Sequence, residues 1–553
     1  MNDATSIEST DAIHDTSGDT RLAEVIGWLE PFLVDWIDTQ RLRTGVPGVQ
    51  VAIRRGRELL SSFAVGWADE PSRVPLTTRH AFRIASHSKT FTATAVMQLA
   101  EAGALRLDDT LGHWLPELAD VPAGEVTLRE LLSHQAGVLR DGEDANFWQL
   151  ARRFNDRDQL IAELRRDLVY APNTHFHYTN IGYSALGLVV EQVTGRSWHD
   201  VVLELVAPLR SFVDDDLVLG PELGHGDDGV EYASGHAMQA VGVDGGDPSK
   251  LAPSQLAPTE LARIETIAPV DTHAEGAATG CWANAEATTA WLAAHALGTD
   301  LLLSDASKRL MQRKESTIVE AGQTRWYGLG WIMREIGQRF VIGHSGGFPG
   351  HITQTWGDPA TGLSVSVLTN RNGSSASEWA TTLIKLIDHA AALVGTSTDA
   401  PDDRFRGRFT SLWGSTHLVP LPGTVLALSS EAADPTGSAV SHTIVDAGTL
   451  RAQARDGFSS FGEELRVARD EAGQITSITT TGITSWTPPL FASMRSELLS
   501  GSRLRAPGTS VEWARAISAL SRPRATLTAP RSPAPSCARS VTTATRMPSS
   551  WPS

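Results

Sequence analysis

Residues 84–91 read Ile84-Ala85-Ser86-His87-Ser88-Lys89-Thr90-Phe91. Ser86-x-x-Lys89 is the only serine set three residues before a lysine in a chain that holds five lysines and 42 arginines. Arginine supplies charge, but its pKa is too high to give up a proton near neutrality. Lysine is brought into that range by burial or by a neighbouring cation. The residues that follow are nearly continuously apolar and predict a buried helix over 91–102, closed by Gly103. Ser86 then lies at the helix start, with Lys89 three residues on and on the same face. The helix end adds partial positive charge and free N–H groups beside any developing oxyanion. The expectation is a nucleophile, Ser86, whose proton Lys89 helps to remove. The plainer reading is an N-cap serine and a solvated lysine, and the apolar Ile84-Ala85 before them argues against it.

Two further stretches carry chemistry. Tyr178-Thr179-Asn180 is the only Tyr-x-Asn among five tyrosines. A tyrosine beside a lysine cation has its pKa lowered and relays protons between nucleophile and leaving group. Its plainer reading is a buried aromatic turn, with Asn180 capping the next helix. Gly343-His344-Ser345-Gly346-Gly347 follows the strand pattern 340–342. There a histidine at a strand edge holds a proton or binds an acyl substrate, and the small residues let a substrate backbone lie alongside. A surface histidine in a Gly-rich turn is the alternative.

The order and separations of Ser86-x-x-Lys89, Tyr178-x-Asn180 and His344-x-Gly346 resemble the serine β-lactamase and penicillin-binding-protein superfamily. The likeness is strongest to its class C β-lactamase-related branch of esterases, D-aminopeptidases and DD-carboxypeptidases. Pro47-Gly48-Val49, the stretch 126–137 (VTLRELLSHQAG), Tyr327-Gly328-Leu329-Gly330-Trp331 and the stretch 343–350 (GHSGGFPG) extend the likeness over about 22–394. It implies an α+β fold: an antiparallel sheet flanked by helices, a helical region facing it, and the site between them. It also implies that Ser86 is acylated and that Lys89 and Tyr178 share base and acid work. Asn180 would orient Lys89 and the substrate amide. His344 would stand where β-lactamases carry the lysine of Lys-Thr-Gly, with Gly346 beside it. The N–H groups of Ser86 and Gly347 would form the oxyanion hole. The histidine is a departure that favours the branch's esterases and peptidases over true β-lactamases.

Rival readings use other residues. Gly343-x-Ser345-x-Gly347 also spells the α/β-hydrolase nucleophile elbow, which needs a strand before Ser345 and a helix after it. A strand pattern follows instead. His175-x-His177 offers two zinc ligands, with no Cys or carboxylate cluster to complete the set. A non-catalytic binding protein on the same fold is a further alternative. No cofactor is implied, and the expected partner is a small ester, amide or short peptide.

Composition sets the frame. At 553 residues more than one domain is expected. A net charge of −17 argues against nucleic acid as the main partner. No apolar run is long enough to cross a bilayer. Residues 1–20 lack the basic start and apolar stretch of a secretory signal, so they read as a disordered leader on a cytoplasmic protein. Two cysteines support no disulfide framework.

Residues 21–394 read as the hydrolase domain. A helix over 22–42 is bent or split by Pro31. Strands follow at 49–53 and 59–66, then a mostly helical middle including 127–132, 181–194 and 285–297. Strands at 340–342, 352–356 and 363–368 come next, and a helix over 376–394 closes the domain. Residues 213–278 read as a loop-rich substrate-side insertion, and 395–403 as a linker. Strand patterns at 418–428, 449–454, 465–469 and 475–480 predict a small all-β, barrel-like domain over 404–490. Residues 491–553 read as a disordered basic tail. Its last 53 residues hold eight arginines and one acidic residue, a composition unlike the body's.

Overall fold

The computed structural model describes residues 16–500 except 214–216, 222–228, 239–263, 321 and 458. The chain divides into a unit ending at Phe491 and a second beginning at Ala492. Of the second, only the end of the helix Pro488–Ser500 is described.

The strand Gly48–Arg55 organises the first unit. All but its last residue are buried, because both of its faces are covered. Val49, Val51 and Ile53 point to one core, shared with the helices Thr16–Thr44 and Ala376–Val394. Ala52 points to the other core, shared with the helical middle. On that second face Gln50 Oε1 accepts from Ala285 N at 2.7 Å, and Arg54 Nε donates to Thr289 Oγ1 at 3.2 Å. These two buried polar side chains tie the strand to the helix Ala285–Ala294.

Nine strands form the sheet, and every neighbouring pair described is antiparallel. Gly48–Arg55 pairs with Glu58–Asp69 on one side and Leu363–Thr369 on the other. Beyond the latter come His351–Gly357, Arg339–Phe348, Ile332–Ile336, Gln323–Tyr327 and Ser316–Glu320. Gly343 faces Ile332 at the end of the pairing between Arg339–Phe348 and Ile332–Ile336. Residues 344–348 run past that neighbour, so one edge of their backbone is left for another chain.

The expected α+β architecture is present, with differences of detail. The helix Thr16–Thr44 runs through Pro31 without a break and takes in the last five residues of the expected leader. Pro31 and Gly27, whose carbonyl loses its donor, both face solvent, while Leu29, Phe32, Leu33 and Trp36 are buried on the opposite side. The last three strands of the sheet, from Ile332–Ile336 to Ser316–Glu320, carry too much exposed polar sequence to show a clear alternation. The expected insertion 213–278 lies partly outside the described residues. Its described end is not loop but a turn, His273–Glu275, of which Glu275 is buried, and a short buried helix, Gly276–Thr279.

The second half of the unit holds a closed eight-stranded barrel, from Gly407–Ser411 to Ile483–Trp486, joined through Thr410 and Trp486. Phe405, Phe409, Leu418, Val425, Leu450, Leu465 and Ile478 fill it. The expected strand 418–428 is two strands, Gly414–Leu421 and Thr424–Ser429, turned at Gly423 with φ +73°. The first helix of the chain carries the barrel. Trp36 Nε1 donates to Ala432 O at 2.9 Å, and His417 Nε2 stands 2.8 Å from Asp35 Oδ2. Residues 491–500, expected to begin the tail, end a helix, and 501–553 lie outside the described residues. No helix among the described residues is long and apolar enough to cross a membrane.

Trp36 fills the junction of helix, sheet core and barrel and is fully buried. Trp36→Ala is therefore expected to cost about 3–5 kcal/mol in chemical denaturation. A loss under about 1 kcal/mol would contradict that packing role.

Candidate active site

Ser86 stands in a single tight turn, Ala85–His87, that leads into the helix Ser88–Glu101. The serine therefore precedes the α-helix rather than opening it. Ala85 has φ +48°, a left-handed conformation that costs a non-glycine residue about 1–3 kcal/mol. Its surroundings enforce it. Ile84 N donates to Cys281 O at 3.0 Å, and Ser88 Oγ donates to Ala85 O at 2.6 Å while accepting from Cys281 N at 2.9 Å. His87 is buried below the turn, its ring nitrogens 2.9 Å from Ile84 O and 3.1 Å from Thr355 Oγ1 on the sheet. Burial pushes His87 down to about 4, so it is a neutral spacer near pH 7.

Lys89 is fully buried. Its Nζ lies 3.2 Å from Ser86 Oγ and donates to Asn180 Oδ1 at 2.6 Å and to Ala278 O at 2.9 Å. Burial pushes its amine down to about 7. The carboxylates of Asp141 and Glu275 favour its charged form and resist that shift, while Arg140 adds to it.

The helix Asn180–Thr194 supplies the next partner. Thr179 caps it, its Oγ1 accepting from Gly182 N at 2.9 Å. Thr179, not Asn180, is thus the capping residue, which frees the Asn180 side chain. With Oδ1 facing Lys89, Nδ2 donates to Asp141 Oδ1 at 2.5 Å. Asp141 also accepts from Trp148 Nε1 at 3.0 Å and from Arg140 Nε at 3.0 Å.

Tyr178 is half-buried and lines the cleft together with Ser86, whose hydroxyl favours the ionised phenol. The Lys89 amine sits 4.9 Å from its ring centroid. The expected lowering of its pKa is not found: burial dominates and pushes the phenol well above its ordinary value. The Tyr178 ring packs 4.2 Å from that of His134, whose Nδ1 accepts from Thr179 N at 3.1 Å.

His344 is buried on the strand Arg339–Phe348. Its Nδ1 stands 2.7 Å from Ser345 O, and a carbonyl oxygen only accepts, so Nδ1 carries the hydrogen. Nε2 then accepts from Tyr327 Oη at 3.1 Å. Burial holds this ring far below the usual histidine range, and the cation at Lys89 pushes the same way. His344 is therefore neutral near pH 7. A Cβ on Gly346 would lie 2.2 Å from Ile84 O, so only glycine lets this strand approach the Ser86 turn so closely.

Ser86, Tyr178, Asn180, His344 and Gly347 line one cleft of about 390 Å³, whereas Gly346, turned toward Ile84 and Thr353, does not. Ser345 also faces the cleft, but it lies in mid-strand and is followed by the strand His351–Gly357, so the strand–turn–helix of an elbow is missing. His175 stacks on Tyr170 with ring centroids 4.3 Å apart, and His177 meets the same ring edge-on. No three His, Cys, Asp or Glu side chains cluster as metal ligands among the described residues. Reasoning from sequence missed Asp141, Trp148, Ala278 and Glu275. A backbone carbonyl leaves no sequence signal, and one acid among 64 is not distinctive.

A sheet and a helical region that meet over a buried lysine beside a serine define the serine β-lactamase and penicillin-binding-protein class of hydrolases. Residues 33–390, more than half of the chain, match the family described as Beta-lactamase, and the chain belongs to that family. It is 27% identical over 319 residues to penicillin-binding protein 4* of Bacillus subtilis (strain 168), covering 55% of this chain and 63% of that one. The chain thus spans less than two thirds of the length of that curated relative. Among solved structures, the octameric penicillin-binding protein homologue from Pyrococcus abyssi is similar over 83% of this chain and 99% of its own, with a TM-score of 0.54 and 18% identity. The D-amino acid amidase from Ochrobactrum anthropi SV3 is similar over 68% and 98%, with a TM-score of 0.50 and 20% identity. At these identities the likeness is one of fold.

Two outcomes test the geometry. Reaction of Ser86 with a fluorophosphonate should rise with pH through about 7, as Lys89 loses its proton. A profile flat across neutrality would refute a neutral lysine beside the serine. Gly346→Val should cut that reactivity about 100-fold by forcing the strand away from Ile84, whereas full reactivity would show that the close approach is dispensable.

Proposed function

We propose that this protein is a serine hydrolase that cleaves ester or amide bonds through an acyl-enzyme on Ser86. The carrying observation is the environment of the Lys89 amine. A neutral amine has two hydrogens and one lone pair. Asn180 Oδ1 and Ala278 O, acceptors both, take the hydrogens. The remaining direction points to Ser86 Oγ, so the lone pair faces the hydroxyl proton it has to accept.

In this reading Ser86 passes its proton to Lys89 as Oγ bonds to the substrate carbonyl carbon. The carbonyl oxygen takes up the electron pair and is held by the N–H groups of Ser86 and Gly347. The tetrahedral species collapses, the bond to the leaving group breaks, and the leaving group takes a proton from Tyr178, which recovers one from Lys89. A neutral phenol suits a donor, and the raised pKa of Tyr178 keeps it one. Water then releases the acyl group by the reverse relay. The substrate backbone lies along the open edge at residues 344–348.

The neutral His344 bears on the choice of substrate. Its ring gives the cleft no cation for a substrate carboxylate, and Arg140 and Arg325 at the cleft wall are each paired, with Asp141 and Glu320. That balance favours neutral esters, amides and peptides over β-lactam antibiotics. The fold shared with a D-amino acid amidase supports an amide among the candidates.

Intact-mass spectrometry with activated nitrophenyl esters, D-amino-acid amides and nitrocefin tests the proposal. The expected outcome is an acyl adduct on Ser86, lost in Ser86→Ala, and loss of turnover in Lys89→Arg although charge is kept. Turnover by Lys89→Arg at the wild-type rate would remove Lys89 from the base role, and an adduct on Ser345 would move the nucleophile.

A further inference from the structure

Glu275 is a fully buried carboxylate that the relay above does not use. It closes the turn His273–Glu275, three residues before Ala278, whose carbonyl holds Lys89. Asn155 Nδ2 donates to its Oε1 at 2.7 Å. The single hydrogen of Ser184 Oγ is shared between Glu275 Oε2 at 3.3 Å and the backbone oxygen of Asn180 at 3.0 Å, the residue whose side chain holds the lysine amine. Behind Asn155, Arg152 Nη2 donates to Asn155 Oδ1 at 2.9 Å.

A buried carboxylate carries a desolvation cost of several kcal/mol, and two neutral hydrogen bonds do not offset it. Glutamine would fill the same space and serve Asn155 and Ser184 without that cost. The carboxyl therefore takes up a proton more readily than usual, and Lys89, held by Asn180 and by Ala278 of the adjoining short helix, is a buried cation that opposes this.

We propose that Glu275 is a positioning residue that sets the proton affinity of Lys89 from behind, so that lysine and glutamate titrate as one unit. This rests on the acyl-enzyme reading of Ser86 and Lys89. Burial pushes the Glu275 carboxyl up to about 7, Asp141 adds to that, and Lys89 opposes it. Both members thus titrate in the same window, and their macroscopic pKa values belong to the pair. The sign is fixed. Ionised Glu275 favours the ammonium form of Lys89. When Glu275 takes up a proton as pH falls, Lys89 releases its own more readily. Other groups facing the pair are Asp141 and Arg140 from the cleft wall, Tyr178 and Tyr183, whose rings lie 4.9 and 5.6 Å from the amine, and the neutral His134 and His344. On Glu275's own turn, His273 pairs outward with Asp271 at 3.1 Å.

The test is the pH dependence of Ser86 labelling by a fluorophosphonate, read by mass spectrometry on the full chain. Glu275→Gln should move the acid limb about one pH unit lower, because Lys89 loses the charge that favoured its protonation. Asn155→Ala keeps the carboxylate but removes its hydrogen bond. Glu275 then protonates at higher pH, and the limb should shift in the same direction by less. If Glu275→Gln does not fold, Asn155→Ala decides. A merely structural role predicts slower labelling with the midpoint unmoved, and that result in the folded variants overturns the proposal. Absence of any Ser86 adduct in the wild-type chain instead defeats the reading on which it rests.

Discussion

A lysine amine taken out of solvent and held by carbonyl oxygens is the constraint around which this structure is arranged. Each acceptor needs its own scaffold. Asn180 reaches Lys89 because Thr179 takes over the cap of its helix and Asp141 fixes the far side of its amide. Ala278 O is in place because residues 276–279 form a buried helical turn against the nucleophile helix. Ser86 faces the amine because Ala85 accepts a left-handed backbone, held by the strand Cys281–Ala283. The burial that lowers the lysine's pKa also makes each of these supports costly to lose, since a buried polar group left without a partner costs about 1–3 kcal/mol.

The same burial governs the histidines nearby. Burial pushes His87 down to about 4 and holds His134 and His344 well below the usual histidine range. They are neutral near pH 7 and not switches there; His87 joins the helical region to the sheet through Thr355, while His134 holds Thr179 N and His344 bonds within the sheet. Positive charge next to the serine therefore comes and goes with Lys89, while Arg140, at the cleft wall, is a fixed and exposed charge bound to Asp141.

The parts legible in the sequence were those with a local signature. The lysine's rarity marked Ser86 and Lys89. The helix Ala376–Val394 and the central strand stand where their apolar patterns put them. The α+β class and the all-β barrel could be read from strand and helix order. The rest was set by three-dimensional context. The outer strands 316–336 are polar and half-exposed, so their pattern is faint. The continuity of the first helix through Pro31 depends on which face meets the sheet. The rise of the Tyr178 pKa depends on burial winning over a nearby cation. Glu275 and Ala278 belong to a region whose composition reads as loop, and only packing against Lys89 gives them a place.

The cleft opens where the helical region meets the sheet, on the face away from the two terminal helices. Its width is set where Gly346 meets Ile84 O, a contact that leaves no space for a methyl group. Gly343 is restricted within the sheet instead: a Cβ there would stand 2.0 Å from Thr355 O on the neighbouring strand. Gly346 thus fixes how closely this strand and the Ser86 turn approach, and that approach brings the strand's free edge to Ser86. Interiors pack densely and transmit displacement instead of absorbing it. Packing changes on the far face of the sheet, under the helices that flank it, should therefore be felt at the serine through the contact between Gly346 and Ile84 O.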